Sequence, residues 1–137
     1  MSNADNLELQ APTAVAREVL VAVQNSSGLE LDVTTFALTN GYWDPAAPSG
    51  VPIQGAPITP GQTATWGNYT STPCTGVTGT MTINSTGVGT VVLNWNWAYG
   101  GTPTATATIT VAGIKSSVSL ANTGSSTVTA TYSISAS

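Results

Sequence analysis

Residues able to do covalent or acid–base chemistry are scarce in this chain, and the few present are poorly matched. There is no histidine, so His-based triads, His zinc sites and the commonest general base are absent. The one cysteine, Cys74, has no imidazole to take its proton and reads as a buried or neutral thiol. Glu30 and Asp32 lie two residues apart on one face of an expected strand, where they could act as calcium ligands or as an acid/base pair. No clustered Asp/Asn loop of EF-hand type accompanies them, and solvated edge charges are the simpler reading. The stretch TGVGTV, residues 86–91, is superficially like a phosphate loop. It lacks the third glycine and runs into a β-branched strand rather than a helix. With no acid/base constellation, the expectation is a non-catalytic protein that needs no cofactor and no metal.

Binding chemistry is better represented. In NWNWAYGG, residues 94–101, the period of two along a strand puts Val91, Leu93, Trp95, Trp97 and Tyr99 on one face and Val92, Asn94, Asn96 and Ala98 on the other. The aromatic face continues an aliphatic one, which assigns Leu93 and Trp95 to a core. Trp97 and Tyr99 approach the Gly100-Gly101 turn, where they are candidates for contact with a ligand. An amphipathic ring at a strand end suits a membrane headgroup layer and a sugar ring equally well. Tyr42 and Trp43 in a long loop, and Trp66 with Tyr69 near another strand end, are expected to complete one surface with them. Phe36 and Tyr132 sit inside alternating strands and read as core or flanking packing.

Charge narrows the partners. The 137 residues carry a net charge of −4 with only two basic side chains, Arg17 and Lys115. That removes the counterion-release drive toward nucleic acid and leaves no polybasic patch for anionic lipid. From Pro45 onward Lys115 is the only formal charge, so polarity comes from hydroxyls and amides. A single cysteine cannot form an intramolecular disulfide. The first residues, MSNADNLELQAPTA, are acidic and polar, unlike a signal peptide. Any export is expected to use a non-classical route.

The elements that must position these residues read as β throughout. Residues 1–16 show no periodicity and are expected to form a loose arm, with LELQ a conceivable edge strand. From residue 17 to 137, short Val-, Ile- and Thr-rich segments alternate with Gly, Pro, Asn and Ser punctuation. Eight strands are predicted, at 17–25, 29–39, 62–69, 76–84, 89–99, 104–112, 115–121 and 126–135. Most links are short enough for hairpins. The expected fold is all-β: a single-domain antiparallel β-sandwich of about eight strands. The exception is the segment 40–62, with five prolines and four glycines. Its two large aromatics argue for an ordered, functional loop.

The order of these features resembles the aegerolysin family of small β-sandwich proteins. The resemblance spans about residues 17–135 and is carried by VLVAVQNSSG, GYWDP, ITPGQTATW, CTGVTGTM and NWNWAYG, taken in sequence. It implies binding to membrane lipids, sphingolipids or sterol-rich domains, and in several members pore formation with a larger perforin-like partner. By position, Trp43, Trp97 and Tyr99 would meet the headgroup. Where the family tends to show an acidic residue in its aromatic strand, this chain has Asn96. Aromatic faces can hold a choline-type ammonium while Asn or Thr groups bond phosphate oxygens. Such a protein would lie on the bilayer. Two other functions are compatible with the same residues: a carbohydrate-binding module with the aromatics as stacking platforms, and a self-assembling, homo-oligomeric structural protein whose uncharged strand edges pair between copies.

Overall fold

A computed structural model describes residues 17–72, 74–85, 89–110 and 112–137. The expected N-terminal arm lies outside the described residues. Among them are ten strands and no helix: β1 (Arg17–Ser26), β2 (Leu31–Asn40), β3 (Tyr42–Trp43), β4 (Pro57–Ile58), β5 (Thr63–Thr70), β6 (Val77–Ser85), β7 (Gly89–Trp97), β8 (Thr104–Ile109), β9 (Ile114–Ala121) and β10 (Thr127–Ala136). All eight predicted strands are present. The two additional ones, β3 and β4, are two-residue strands inside the Pro/Gly-rich segment.

The strands form two five-stranded sheets, ordered β3-β5-β1-β10-β9 and β4-β2-β6-β7-β8. One pairing departs from the antiparallel expectation: β1 runs parallel to β10, with Glu18 opposite Thr127 and Ser26 opposite Ser135. A parallel pair needs a long crossover, and here nearly the whole chain lies between the two strands. Hairpins are fewer than expected, because β1 and β2 lie in different sheets and the SSG turn carries the chain across the sandwich. Residues 40–62 do the same repeatedly. The chain passes from β2 to β3, back to β4 and then to β5, changing sheet each time. Proline and glycine suit this path, since neither a helix nor a long ladder could follow it.

Alternate side chains from both sheets meet in one core, with Val21, Val23, Leu31, Val33, Met81, Ile83, Leu93, Tyr132 and Ile134 fully buried. Burial of this aliphatic and aromatic area is the main force holding the sheets together. Tyr132 on β10 crosses the interior and donates its hydroxyl to the Asn94 carbonyl on β7 at 2.6 Å. Burial pushes its phenol well above the ordinary range. The sandwich protects its edges in two ways. On one side the edge strands β3 and β4 are only two residues long, and on the other β8 and β9 lie beside each other. Short outer strands and outer strands packed beside one another are two ways in which a sheet limits its free edges.

Candidate functional site: the aromatic end of the sandwich

The start of β1 and the ends of β2, β5 and β7 gather at one end of the molecule, because the registers place Arg17 opposite Thr70, Asn40 opposite Thr78 and Val77 opposite Trp97. Most of the aromatic residues singled out in the sequence converge there. β3 is laid onto β5 with Tyr42 opposite Tyr69 and Trp43 opposite Asn68. Gly41 makes this approach feasible: its φ is +88°, and a Cβ there would sit 2.6 Å from the Asn68 amide nitrogen and from the Tyr69 carbonyl.

The centre of the arrangement is Asn68, fully buried on β5. Its Oδ1 accepts the indole N–H of Trp95 at 2.9 Å. Its Nδ2 donates to the Asn40 carbonyl at 3.1 Å and, more weakly, to that of Tyr42 at 3.5 Å. One amide therefore links the core tryptophan of one sheet to the strand that presents Tyr42. Trp43 is partly buried and packs edge-on against both Trp95 and Phe36, with 6.0 Å between centroids in each pair. Tyr42 is 65% exposed, and its ring lies 6.0 Å from that of Tyr69, tilted by 46°. Together they form an open aromatic surface.

At the end of β7 the strand alternation splits as follows. Leu93 and Trp95 are core, as expected. Trp97 is core as well, only 7% exposed, which corrects its expected place on the surface. The reason is non-local. Arg17, on the other sheet, stacks its guanidinium 4.5 Å from the Trp97 ring centroid and donates Nη1 to the Ala98 carbonyl at 3.1 Å. Tyr99 is 60% exposed. It occupies the turn closed by Gly101 N–H to the Ala98 carbonyl at 3.0 Å, with Gly100 at φ +79°. Its ring lies 5.8 Å from the same guanidinium.

Five other residues fall elsewhere. Trp66 is buried in mid-strand on β5, opposite Val21. It floors a depression bounded by Val51, Ile53 and Pro57, away from the aromatic end. Its expected contribution to one aromatic surface is therefore corrected. Asn96 is exposed on the outer face of its sheet, accepting the Thr78 hydroxyl at 2.6 Å, and with Asn94, Thr104 and Thr106 borders a shallow depression of about 210 Å³. Cys74 is exposed rather than buried, in the link from β5 to β6. Glu30 is exposed and Asp32 half-buried at the opposite end, and among the described residues no three His, Cys, Asp or Glu side chains are grouped to hold a metal.

A carboxyl pair escaped the sequence reading. Glu18 and Asp44 are both buried beside Gly67, 8% and 6% exposed. Burial, then the hydrogen bond to Asp44 and its charge, push the Glu18 carboxyl up to about 8. Glu18 therefore holds its proton at neutral pH, facing Asp44. Asp44 also accepts the Ala46 N–H at 2.8 Å, so the pair fastens the loop after β3 onto the sheet.

No family model matches the chain, and no curated protein matches it in sequence. Solved structures do match. The RahU protein, in complex with TRIS, superposes with a TM-score of 0.72 at 14% identity, covering 89% of this chain and 96% of RahU. IP-1A from Alcaligenes faecalis gives 0.67 at 14% identity, covering 90% and 93%. The lipid-binding protein Nakanori gives 0.70 at 15% identity, covering 88% of this chain and 71% of Nakanori. The fold is shared with all three. The same fold is therefore reached by sequences only 14–15% identical to this one.

Proposed function

We propose that the protein is a non-catalytic, membrane-lipid-binding β-sandwich of aegerolysin type that meets headgroups with its aromatic end. The observation that carries this reading is the exposure of Tyr42 and Tyr99 at the end where Trp43, Trp95, Trp97 and Tyr69 also gather. Large amphipathic rings at the end of a chain with few charged residues suit the interfacial layer of a zwitterionic bilayer. Likeness in fold to a lipid-binding protein supports the same reading. Among the described residues no helix is long and apolar enough to cross a membrane. The finer reading makes this chain the membrane-recognising component of a cytolytic pair, with a perforin-like partner supplying the insertion.

Co-sedimentation with vesicles across a lipid panel, including sphingolipid and sterol mixtures, tests the binding, with tryptophan fluorescence as a second readout. Absence of binding to every mixture overturns it. Dye-loaded vesicles should stay sealed with this protein alone, and leakage without a partner would remove the need for one. The Asn- and Thr-lined depression on the outer sheet face favours carbohydrate as the second reading, since amides and hydroxyls there can bond sugar hydroxyls. Saturable binding on a glycan array with no vesicle binding would reverse the order.

A further inference from the structure

We propose that Asn40–Gly41 is a self-modification site, at which the Asn40 side chain deamidates through a cyclic imide to isoaspartate, and that this product releases β3 from β5. The reaction needs water and no enzyme. Only its effect on vesicle binding rests on the lipid-binding reading above.

Asn40 and Gly41 form the one Asn-Gly pair in the sequence. Deamidation starts when the backbone nitrogen of the following residue, having given its proton to water or hydroxide, attacks the asparagine Cγ. Glycine obstructs this attack least, because it has no side chain. The new N–Cγ bond closes the imide, the Cγ–Nδ2 bond breaks, and Nδ2 takes a proton and leaves as ammonia. Water then opens the ring. Opening at Cγ gives aspartate. Opening at the former main-chain carbonyl gives isoaspartate, in which the chain runs through Cβ and Cγ and the original carbonyl carbon becomes a carboxylate on a branch.

The fold leaves this pair open to the reaction. Asn40 is exposed at the last position of β2, directly after a register irregularity between Leu38 and Asn40. Its main-chain carbonyl accepts from Asn68, but none of the described hydrogen bonds uses its side-chain amide or the Gly41 N–H. Two other asparagines show the contrast. Asn25 precedes Ser26 but is 1% exposed, with its amide held by the Leu29 and Ile58 carbonyls. Asn122 is exposed but precedes Thr123, whose branched side chain shields the attacking nitrogen. Nor can the pair be relieved at its second residue. Gly41 has φ +88°, and a Cβ there would lie 2.6 Å from the Asn68 amide nitrogen and from the Tyr69 carbonyl. The docking of β3 thus requires the same glycine that makes Asn40 labile.

That tight fit also sets the consequence. β3 is two residues long and is held on β5 by its pairing with Tyr69 and Asn68, and by the Asn68 amide, which donates to the Asn40 carbonyl at 3.1 Å and the Tyr42 carbonyl at 3.5 Å. In isoaspartate the Asn40 carbonyl leaves the main chain, and the extra backbone methylene pushes Gly41 out of a gap with no room for one more carbon. So short a strand cannot absorb the displacement along its length. Tyr42 then parts from Tyr69, and Trp43 from Phe36 and Trp95. Because ammonia is lost, the conversion runs one way, and the aromatic end carries its own clock.

The experiment incubates the full chain for days at mildly acidic and mildly alkaline pH, beside Asn40→Gln and beside wild type unfolded in urea. Chymotryptic peptides ending at Tyr42 are followed by mass spectrometry, and isoaspartate by isoaspartyl methyltransferase labelling. Conversion at Asn40 should outpace that at every other asparagine, run faster in alkali, and give mainly isoaspartate. Near-ultraviolet circular dichroism of the aromatic end, and binding to sphingomyelin–cholesterol vesicles, should be lost in proportion to the isoaspartate formed. Asn40→Gln, which keeps the main-chain carbonyl and closes an imide far more slowly, should keep both signals. An Asn40 that reacts in urea but stays intact in the fold overturns the site, as does equal conversion at Asn122. Isoaspartate without change in the dichroism, or equal loss in Asn40→Gln, overturns the release of β3. Should Asn40→Gln fail to fold, Asn40→Ser takes its place, and the wild-type peptide map needs no variant. If fresh protein binds no vesicle in the panel, the lipid-binding reading fails by itself, and the peptide map with the dichroism still decides this inference.

Discussion

At one end of the sandwich, buried Asn25 donates its amide to the Leu29 and Ile58 carbonyls, both at 2.7 Å, and its Oδ1 accepts from the Ser27 N–H and hydroxyl. At the other end, buried Asn68 takes the Trp95 indole and gives to the Asn40 and Tyr42 carbonyls. Each asparagine satisfies a buried amide, which would otherwise be costly. The Asn25 knot is closed on local turn backbone and on β4, and no aromatic side chain enters it. Asn68 instead couples the core of one sheet to a two-residue strand that carries an exposed tyrosine. The difference teaches that a fold can use one polar device to shut one end and to build a presentation surface at the other.

The largest expected effect tests the core side of that coupling. Trp95→Ala removes a buried ring that Trp43 and Asn68 both rest on, and should cost about 3–5 kcal/mol by chemical denaturation. Next come the two asparagines. Asn25→Ala and Asn68→Ala should each cost about 1–3 kcal/mol, because each strands several buried partners. Their vesicle binding should differ: under conditions where both remain folded, Asn25→Ala binds like wild type and Asn68→Ala binds weakly. Equal loss of binding from both would break the contrast between the ends.

A pH series sharpens it further, because the carboxyl pair exists only near the aromatic end. Glu18 keeps its proton in the fold up to about pH 8 but releases it near 4.5 when unfolded. Between these values the unfolded chain binds fewer protons, so stability should fall as pH rises through the window and level off above 8. The slope should reach at most about 1.4 kcal/mol per pH unit. Tyr69 lies opposite Glu18 and Asp44 beside it, while Arg17 is turned to the other face. In Glu18→Gln, which mimics the protonated acid, the wild-type slope between pH 4.5 and 8 should disappear. A slope unchanged in that variant would assign the effect to another group.

Much of this architecture is legible in the sequence, and the limits have a physical origin. Period-two alternation identified all eight long strands and placed Leu93 and Trp95 inside, while proline and glycine content with two large aromatics singled out residues 40–62 as an ordered loop. Alternation reports which face a side chain takes, not how deep it lies. Depth at Trp97 is set by Arg17, eighty residues away, and at Trp66 by the flanking β1. Likewise, β1 and β10 show the same pattern whether they pair parallel or antiparallel. Glu18 and Asp44 carry no local signal of their meeting, because only the docking of β3 onto β5 brings them together. Asn68 has no neighbour in sequence that sets it apart, although its burial makes it the centre of the site.

The smallest effect on stability isolates the surface itself. Tyr42 is largely exposed, so Tyr42→Ala should change unfolding free energy by no more than about 0.5 kcal/mol. Its backbone carbonyl, which accepts from Asn68, remains in the variant. Whatever binding is lost therefore belongs to the ring. Loss of one aromatic face to an ammonium should weaken vesicle binding by about fivefold, and Tyr42→Phe, which keeps the face and drops the hydroxyl, should restore most of it. Should Tyr42→Phe prove as weak as Tyr42→Ala, the hydroxyl rather than the ring face meets the ligand. In that case the aromatic end reads hydrogen-bond acceptors, as a sugar would offer, and its contrast with the closed Asn25 end would rest on polar chemistry instead.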